Sequence, residues 1–232
     1  MPERGGRTIL ADVSLFRGFS AEELEEVAAV MHEKILPPSS FVIIQDQPAH
    51  VLYVVLSGSL KVQIDLPDGT QVVVAVVGPG EVLGELGLID GRGRSATVIT
   101  LEDCTLLWMD RESFETCLQK YPVMTRNLLE IMSGRMRQAN AHVQALASMD
   151  MIGRVAHELL SLADRHGRPG SDGGVLIPIP LNQTDLAGLV GASRVRVNQV
   201  LGEFKKRGYL TISRAHRVTI RDPAGLEKRA QN

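Results

Sequence analysis

The sequence predicts an α+β fold: an N-terminal helix, a jelly-roll-like β-roll, one long helix, and a small basic module of helices and a hairpin. Three observations predict it. Short β-branched runs alternate with turn residues between positions 41 and 109. Positions 123–149 contain no proline and carry a heptad apolar pattern. The 232 residues are enough for two domains, each with its own core.

Charge divides the chain more clearly than composition does. Residues 1–150 carry 12 Lys and Arg against 20 Asp and Glu, a net −8, whereas residues 151–232 carry 13 against 7, a net +6. The whole chain has a formal charge of only −2. A basic C-terminal module of this kind is typical of a nucleic-acid partner.

The first elements follow from apolar spacing and turn signals. A helix is predicted over 12–35, with Ser20 and Glu23 as a capping box and Pro37-Pro38 after its end. Turn signals such as Pro67-Asp68-Gly69 then separate the strands of an antiparallel roll. The predicted strands are Phe41–Ile44, Val51–Leu56, Leu60–Ile64, Gln71–Val77, Ala96–Ile99 and Thr105–Met109.

One glycine-spaced stretch, from Gly84 to Ala96, interrupts the roll and is predicted to be its longest ordered loop. The carboxylate of Glu85 can accept hydrogen bonds from sugar hydroxyls. The guanidinium of Arg94, with the neighbouring hydroxyl of Ser95, can clamp a phosphate. Glycines let backbone N–H groups approach the same anion. A carboxylate that can bind a sugar and an arginine that can bind a phosphate, nine residues apart, indicate a nucleotide-binding pocket.

After the roll, Asp110 is predicted to cap a short helix, Arg111–Gln119, and Tyr121-Pro122 to open the long one. Apolar residues of the long helix recur at spacings of three and four, which is typical of a coiled-coil seam. They are Leu129, Met132, Met136, Ala139, Val143 and Leu146. The seam predicts a parallel homodimer, with packing on its own domain as the alternative.

The C-terminal module has the pattern of a winged helix-turn-helix. Residues 150–154 mark a hinge into it, Val155–Ala163 is predicted to be helical, and Val175–Ile179 a short strand. Asn182 caps a predicted helix over Gln183–Val190, Gly191 turns the chain, and Ser193 caps a second helix over Arg194–Arg207. The strands Leu210–Ile212 and Val218–Ile220 then form a hairpin wing.

The start of the second helix is predicted to read base edges in the major groove. Arg194 suits guanine, and Asn198 or Gln199 suits adenine, while Lys205 and Lys206 suit phosphates. The residues predicted to meet DNA are Gln183, Ser193, Arg194, Val195, Arg196, Asn198, Gln199, Lys205, Lys206, Arg214 and Arg217.

Taken together, the Gly84-Glu85-Leu86-Gly87 and Arg94-Ser95-Ala96 motifs, the long helix and Gly191-Ala192-Ser193-Arg194 resemble the cyclic-AMP receptor protein/FNR family of bacterial transcription regulators. The resemblance covers nearly the whole chain. It implies a cyclic-nucleotide-binding domain over 1–121, a dimerisation helix over 122–150 and a DNA-binding domain over 151–232. It further implies double-stranded DNA with a palindromic site, a second copy of the chain and RNA polymerase as partners.

The resemblance also implies the ligand contacts. Glu85 would hold the ribose hydroxyl, and Arg94 and Ser95 the cyclic phosphate. The other implied ligand-binding residues are Gly84, Leu86, Ala96, Val62, Val74, Arg135 and Asn140, with Ala75 near the nucleotide. The family reads the purine with two polar residues at the positions of Ala139 and Asn140. The first position departs from the family, since alanine has no hydroxyl for the exocyclic amine, whereas Asn140 supplies both a donor and an acceptor with which the base can still be read. Cyclic AMP is the first choice, with cyclic GMP or another cyclic nucleotide as alternatives.

A second departure concerns DNA. Many members have a glutamate where this chain has Val195, and an arginine is often found where Gln199 stands. Valine can touch a thymine methyl but cannot accept a hydrogen bond from cytosine. The resemblance therefore implies a half-site that keeps a guanine opposite Arg194 and differs from the family's usual TGTGA at neighbouring pairs.

Other interpretations of the same residues exist. Glu85 and Arg94 could pair with each other in a regulator that binds DNA without ligand. The roll could belong to a nucleotide-binding interaction module with no DNA role. An enzyme is disfavoured, because no nucleophile–base pair or metal-ligand set accompanies Glu85.

Several classes are disfavoured by what the chain lacks. Cys104 and Cys117 sit in no metal or iron–sulfur pattern, and no haem-ligand set is present. The sequence has no apolar run of membrane-spanning length, and Met1–Arg7 is not followed by the apolar region of a signal peptide. We therefore expect a cytoplasmic protein with no metal, haem or iron–sulfur cluster and no membrane partner.

Overall fold

A computed structural model describes residues 10–170 and 173–231. The segment Met1–Arg7, and Ser171 and Asp172 of the predicted loop, lie outside the described residues. The chain forms two compact units, one of residues 1–65 and 76–137 and the other of residues 66–75 and 138–232. The three-part division inferred above stays a prediction.

The first unit begins with a 3₁₀ turn at Ser14–Phe16 and helix α1, Ala21–Ala29. The predicted capping box is present: Glu23 N–H donates to Ser20 Oγ (3.2 Å), and Ser20 N–H donates to Glu23 Oε2 (2.7 Å). The prediction of helix as far as residue 35 was wrong. His32–Leu36 is a strand that pairs with a later strand of the roll, so the tertiary ladder overrides the local helical spacing.

The roll consists of two four-stranded sheets, ordered β1-β8-β3-β6 and β2-β7-β4-β5. One core lies between the sheets and includes Val55, Leu60 and Leu106; a second joins the roll to the helices and includes Phe16, Met109 and Phe114. The strands are β1 His32–Leu36, β2 Phe41–Ile43, β3 Val51–Ser57, β4 Leu60–Asp65, β5 Gln71–Val77, β6 Val82–Leu83, β7 Thr97–Thr100 and β8 Cys104–Asp110.

Three helices complete this part of the chain. Residues Glu85–Asp90 form a six-residue helix, α2, where the sequence predicted a loop. Two flanking glycines with positive φ, Gly84 and Gly91, start and stop this helix. The sequence analysis had interpreted the same glycines as the sign of an irregular loop. Helix α3 is Arg111–Lys120 with Asp110 as its cap, as predicted. The long helix α4 spans Pro122–Ser148.

The second unit contains the predicted helix-turn-helix and hairpin. Its elements are α5 Met151–His166, β9 Arg168–Pro169, β10 Val175–Ile177, α6 Gln183–Val190, α7 Arg194–Lys206, β11 Leu210–Ile212, β12 Val218–Ile220 and α8 Pro223–Ala230. The residues 151–154, predicted as part of the hinge, are helical, because the Asp150 side chain caps α5 by accepting from Gly153 N–H (2.7 Å). Helix α8 was missed by the sequence analysis.

Within residues 10–170 and 173–231, no helix combines the length and hydropathy of a membrane span. The same ranges contain no group of three or more His, Cys, Asp or Glu side chains that could hold a metal ion.

Candidate functional site

The candidate ligand site is built around the N-terminal end of α2. Gly84 precedes the helix with a φ of +85°, a conformation that a residue with a Cβ rarely adopts. This turn places Glu85 at the first helical position, where its side chain is only 2% exposed. A carboxylate in this position is buried among protein atoms, and its two oxygens must find donors there.

The two carboxylate oxygens of Glu85 differ in their hydrogen bonding. Glu85 Oε1 accepts from Arg135 Nη1, and Arg135 Nη2 donates to the carbonyl of Val82. Glu85 Oε2 is buried and has no hydrogen-bond partner. The structure thus brings together Glu85 and Arg135, two of the predicted ligand-binding residues, and leaves one acceptor of Glu85 available.

Arg94 is the second charged group of the site, and it is 7% exposed. Its Nη1 donates to the carbonyl of Gly84 (2.9 Å) and its Nη2 to the carbonyl of Val51 (2.8 Å). A Cβ on Gly84 would collide with this guanidinium, so glycine is needed here for space as well as for its φ. The ion pair of Glu85 is with Arg135, and the hydrogen bonds of Arg94 go to these two carbonyls.

The electrostatic surroundings of Arg94 favour an anion. Burial lowers the pKa of its guanidinium, and the positive charge of Arg111 lowers it further, while Tyr53 and Glu85 oppose that change. A positive charge disfavoured by burial and by a like charge gains from a negative partner. The guanidinium of Arg94 is therefore suited to a phosphate.

The remaining predicted ligand residues lie in different settings. Ser95 and Leu86 are exposed, Ala96 is half-buried next to them in sequence, and Val62 packs against the core between the sheets. Four other positions predicted to lie near the nucleotide belong to the second unit, and their contact with a ligand stays a prediction: Val74, Ala75, Ala139 and Asn140.

Sequence reasoning missed Arg111, the first residue of α3. Its guanidinium donates to the carbonyls of Gly87, Leu88 and Ala49. An arginine after a strand and before a helix gives no signal that its side chain will reach backward onto another segment, so only the tertiary structure could have found it.

In the second unit, the two helices of the candidate DNA-reading surface are fixed by their caps and by a shared core. Asn182 accepts from Thr184 N–H (2.8 Å) and Asp185 N–H (2.9 Å). Ser193 accepts from Arg196 N–H (3.4 Å), and Gly191 turns between the helices with a φ of +62°. The buried faces of the pair include Leu186, Leu189, Val197, Leu201 and Phe204.

The opposite face of α7 is exposed along its first turns. Gln183 Nε2 donates to Asn198 Oδ1 (2.9 Å), which ties the start of α6 to the middle of α7. Val195 is 67% exposed, so its methyl groups are accessible to a thymine methyl. The other exposed residues here are Ser193, Arg194, Arg196, Gln199, Lys205 and Lys206. All of them were predicted to meet DNA.

The two wing arginines differ from each other. Arg214 is exposed at the tip of the hairpin. Arg217 is half-buried, and its Nε donates to the carbonyl of Pro178 (2.7 Å). Arg217 therefore also holds the wing against the segment that precedes α6.

Two family models match the chain in the order that the folds suggest. The cyclic nucleotide-binding domain matches residues 33–121, and the Crp-like helix-turn-helix domain matches residues 153–229. Between them they cover most of the chain. The first match contains α2 and Arg94, and the second contains α6, α7 and the hairpin wing.

Individual relatives agree with these models. A CRP-like cAMP-activated global transcriptional regulator of Mycobacterium tuberculosis is 31% identical over 224 residues, 96% of this chain and 99% of the relative. The structure of FixK2 from Bradyrhizobium japonicum has the same fold (TM-score 0.77, 24% identity, 86% and 96% coverage). The c-di-GMP responsive global regulator CLP of Xanthomonas campestris is also similar (TM-score 0.72, 26% identity, 87% and 99% coverage).

These matches make the chain a DNA-binding transcription regulator with a cyclic nucleotide-binding domain, and not an enzyme. They also decide against an interaction module with no DNA role. From the buried Glu85, the capped helix-turn-helix and this shared sequence, we conclude that the chain belongs to the CRP/FNR family of transcription regulators.

Proposed function

We propose that the protein is a homodimeric transcription regulator whose DNA binding is gated by a cyclic nucleotide bound in the β-roll, with cyclic AMP as the first candidate. The observation that carries the proposal is the orphaned Oε2 atom of Glu85. A buried acceptor without a donor is costly. A sugar hydroxyl supplies the missing donor, and a carboxylate can accept it without changing its charge.

Arg94 supports the phosphate half of the proposal. Two of its five N–H groups donate to carbonyls, and the others remain for an anion. Because the side chain is 7% exposed, a phosphate must loosen the contacts of Arg94 with Gly84 and Val51 before it can bind two N–H groups side by side. We infer that the Arg94 side chain turns away from these carbonyls to admit the ligand.

The exposed apolar face of α4 supports the homodimer. Leu129, Met136 and Val143 are 64%, 68% and 64% exposed, and Leu146 is 43% exposed. Their spacing is that of a coiled-coil seam, and a helix of 27 residues is long enough to pair with a copy of itself. A polar or small seam would have argued against pairing.

The gating mechanism follows from the placement of these parts along one chain. Glu85 is bonded to Arg135 of the pairing helix, so a ligand that changes the environment of Glu85 also acts on that helix. The two recognition helices of the dimer would then face successive major grooves, about 34 Å apart. The ligand drives the change only through its different affinities for the two arrangements. RNA polymerase as a partner and a cytoplasmic location belong to the same proposal.

The first experiment is isothermal titration of the full chain with cyclic AMP, cyclic GMP and c-di-GMP. Binding of a cyclic mononucleotide in the micromolar range supports the proposal. Binding of c-di-GMP alone would move the effector to the class named for the Xanthomonas relative. Glu85→Gln is the matched variant, since it keeps the shape and removes the charge; unchanged affinity in this variant would contradict the assigned role of Glu85.

The second experiment measures affinity for a palindromic DNA site with and without the ligand at one salt concentration. We expect the ligand to raise DNA affinity. Equal affinity in both conditions would favour the alternative of a regulator that binds DNA without ligand.

A further inference from the structure

The six-residue helix α2 cannot be stable by itself. Isolated helices shorter than about 12 residues are marginal in water, and the last carbonyls of any helix have no partner within it. Helix α2 carries Glu85 at its first position, so whatever fixes α2 also fixes the proposed sugar grip. The last four carbonyls of α2, from Gly87 to Asp90, are the groups that need such an attachment.

Arg111 makes that attachment. Its Nη1 donates to the carbonyl of Leu88 (2.9 Å), and its Nη2 donates to the carbonyls of Gly87 (3.0 Å) and Ala49 (3.2 Å). Its own backbone N–H donates to the carbonyl of His50 (2.9 Å). The side chain thus joins the C-terminal end of α2 to the segment that leads into β3, and its positive charge suits a helix C-terminus.

The two joined segments are in close contact at this point. A Cβ on Gly87 would lie 2.6 Å from the Cβ of Ala49, so glycine is needed there. Leu88 is buried and 3% exposed, which leaves this end of α2 little freedom to shift. The attachment by Arg111 is therefore supported by packing on the same side.

Arg94 joins the same two segments at the other end, through Gly84 and Val51. The two arginines differ in one respect. Arg94 is the residue that a phosphate would draw away from its carbonyls, whereas Arg111 donates to the carbonyls of Gly87, Leu88 and Ala49, none of which is proposed to touch the ligand. The hydrogen bonds of Arg94 to its carbonyls can be exchanged for bonds to a ligand while those of Arg111 remain.

From this we infer that Arg111 is the positioning residue of the pocket: it anchors the C-terminal end of α2 so that Glu85 keeps its place when Arg94 turns to the phosphate. The inference rests on the proposed function for its ligand, and on the described hydrogen bonds for its anchor. Arg111 itself touches no ligand in this scheme. A lysine at position 111 can satisfy one or two of the carbonyls but lacks the planar fork.

The test compares Arg111→Gln, Arg111→Lys and a control, Arg126→Gln. Arg126 is an exposed arginine of α4 that pairs only with Glu130, four residues on, among the contacts described for it (3.3 Å). Folding of each variant is checked by the fluorescence of Trp108, the single tryptophan of the chain, which lies in β8.

The first measurement is amide hydrogen exchange of residues 85–90 in the ligand-free protein. We expect Arg111→Gln to speed exchange in this segment at least tenfold and to leave β8 unchanged, with an intermediate result for Arg111→Lys. Exchange at residues 85–90 equal to that of the control would overturn the anchoring role.

The second measurement is affinity for cyclic AMP and for 2′-deoxy cyclic AMP, which lacks the hydroxyl assigned to Glu85. If Glu85 is displaced in Arg111→Gln, the affinity for cyclic AMP should fall about tenfold and the affinity for the deoxy analogue should change little. The ratio of the two affinities should therefore fall toward one. An equal loss for both ligands would overturn the positioning role, since a general folding defect acts on both alike. If the unaltered protein binds neither nucleotide, the proposed function fails, and the exchange experiment still decides the anchor.

Discussion

The strongest quantitative prediction concerns the ion pair of Glu85 with Arg135. Glu85 is 2% exposed and the Arg135 side chain 31% exposed, so the pair is buried at its acidic end and partly solvated at its basic end. Removing one partner of a fully buried pair costs about 3–5 kcal/mol, whereas exposed pairs contribute about 0–1 kcal/mol. We therefore expect Arg135→Gln to lower the free energy of unfolding of the roll by about 2 kcal/mol.

A double variant separates the effect of the unpaired charge on stability from the effect of lost packing. Glu85→Gln combined with Arg135→Gln removes the carboxylate that would otherwise stay buried without a counterion. The double variant should recover about 1 kcal/mol relative to Arg135→Gln alone, because the main penalty is the uncompensated charge.

The assay is urea unfolding followed by the fluorescence of Trp108, which reports on the roll. Protomer concentration is held constant, because the proposed dimerisation through α4 would make apparent stability depend on concentration. Arg126→Gln serves as the control and should change stability by less than about 0.5 kcal/mol. A cost for Arg135→Gln as small as that of the control, or a double variant less stable than the single one, would refute the reasoning.

Three further predictions address other parts of the molecule. Met136→Glu, which places a charge in the exposed seam, should weaken the homodimer more than about tenfold in analytical ultracentrifugation; an unchanged dimer would move the interface elsewhere. Burial raises the pKa of Glu158 above its usual 4.5, with Arg165 opposing. The folded state then holds that proton more tightly, so stability falls as pH rises from about 4.5 through the folded pKa. Glu158→Gln should remove this slope of up to about 1.4 kcal/mol per pH unit, and urea unfolding between pH 4.5 and 8 measures it. Arg194→Ala should lower the free energy of discrimination between guanine and the other bases at one position of the DNA site by about 1–3 kcal/mol. Selection from random DNA should return a half-site other than the family's usual one. Recovery of that usual half-site unchanged would contradict the role given to Val195.

Local signals predicted most elements because their causes are local. The caps at Ser20, Asp110, Asn182 and Ser193 each depend on a side chain that accepts from an N–H two or three residues ahead, and all four were predicted. The turn at Pro67-Asp68-Gly69 likewise depends on a proline and on a glycine with a φ of +84° within three residues. Such features can be inferred from sequence without knowledge of the tertiary structure.

The errors occurred where distant segments decide the structure. His32–Leu36 has a helix-compatible spacing, yet it forms a strand because β8 offers it a partner. The stretch from Glu85 was predicted as a loop because six residues are too few to show helical periodicity. Helix α2 forms nonetheless, held at its ends by glycines and by Arg111. The unpartnered Oε2 of Glu85 is a property of the folded environment and has no counterpart in the sequence.

A single carboxylate connects the two halves of the proposed mechanism. The Oε1 atom of Glu85 accepts from Arg135, and its Oε2 atom would accept from a sugar hydroxyl in the proposed liganded state. Because two donors on one carboxylate compete for the same negative charge, we expect a new donor at Oε2 to weaken the hydrogen bond from Arg135 to Oε1. Arg135 stands beside Met136 on α4, and Met136 is one of the exposed residues of the seam. We infer that ligand occupancy is felt at the dimer interface through this one side chain. An Arg135→Gln protein should therefore still bind nucleotide, with altered affinity, while its affinity for DNA no longer responds to the ligand.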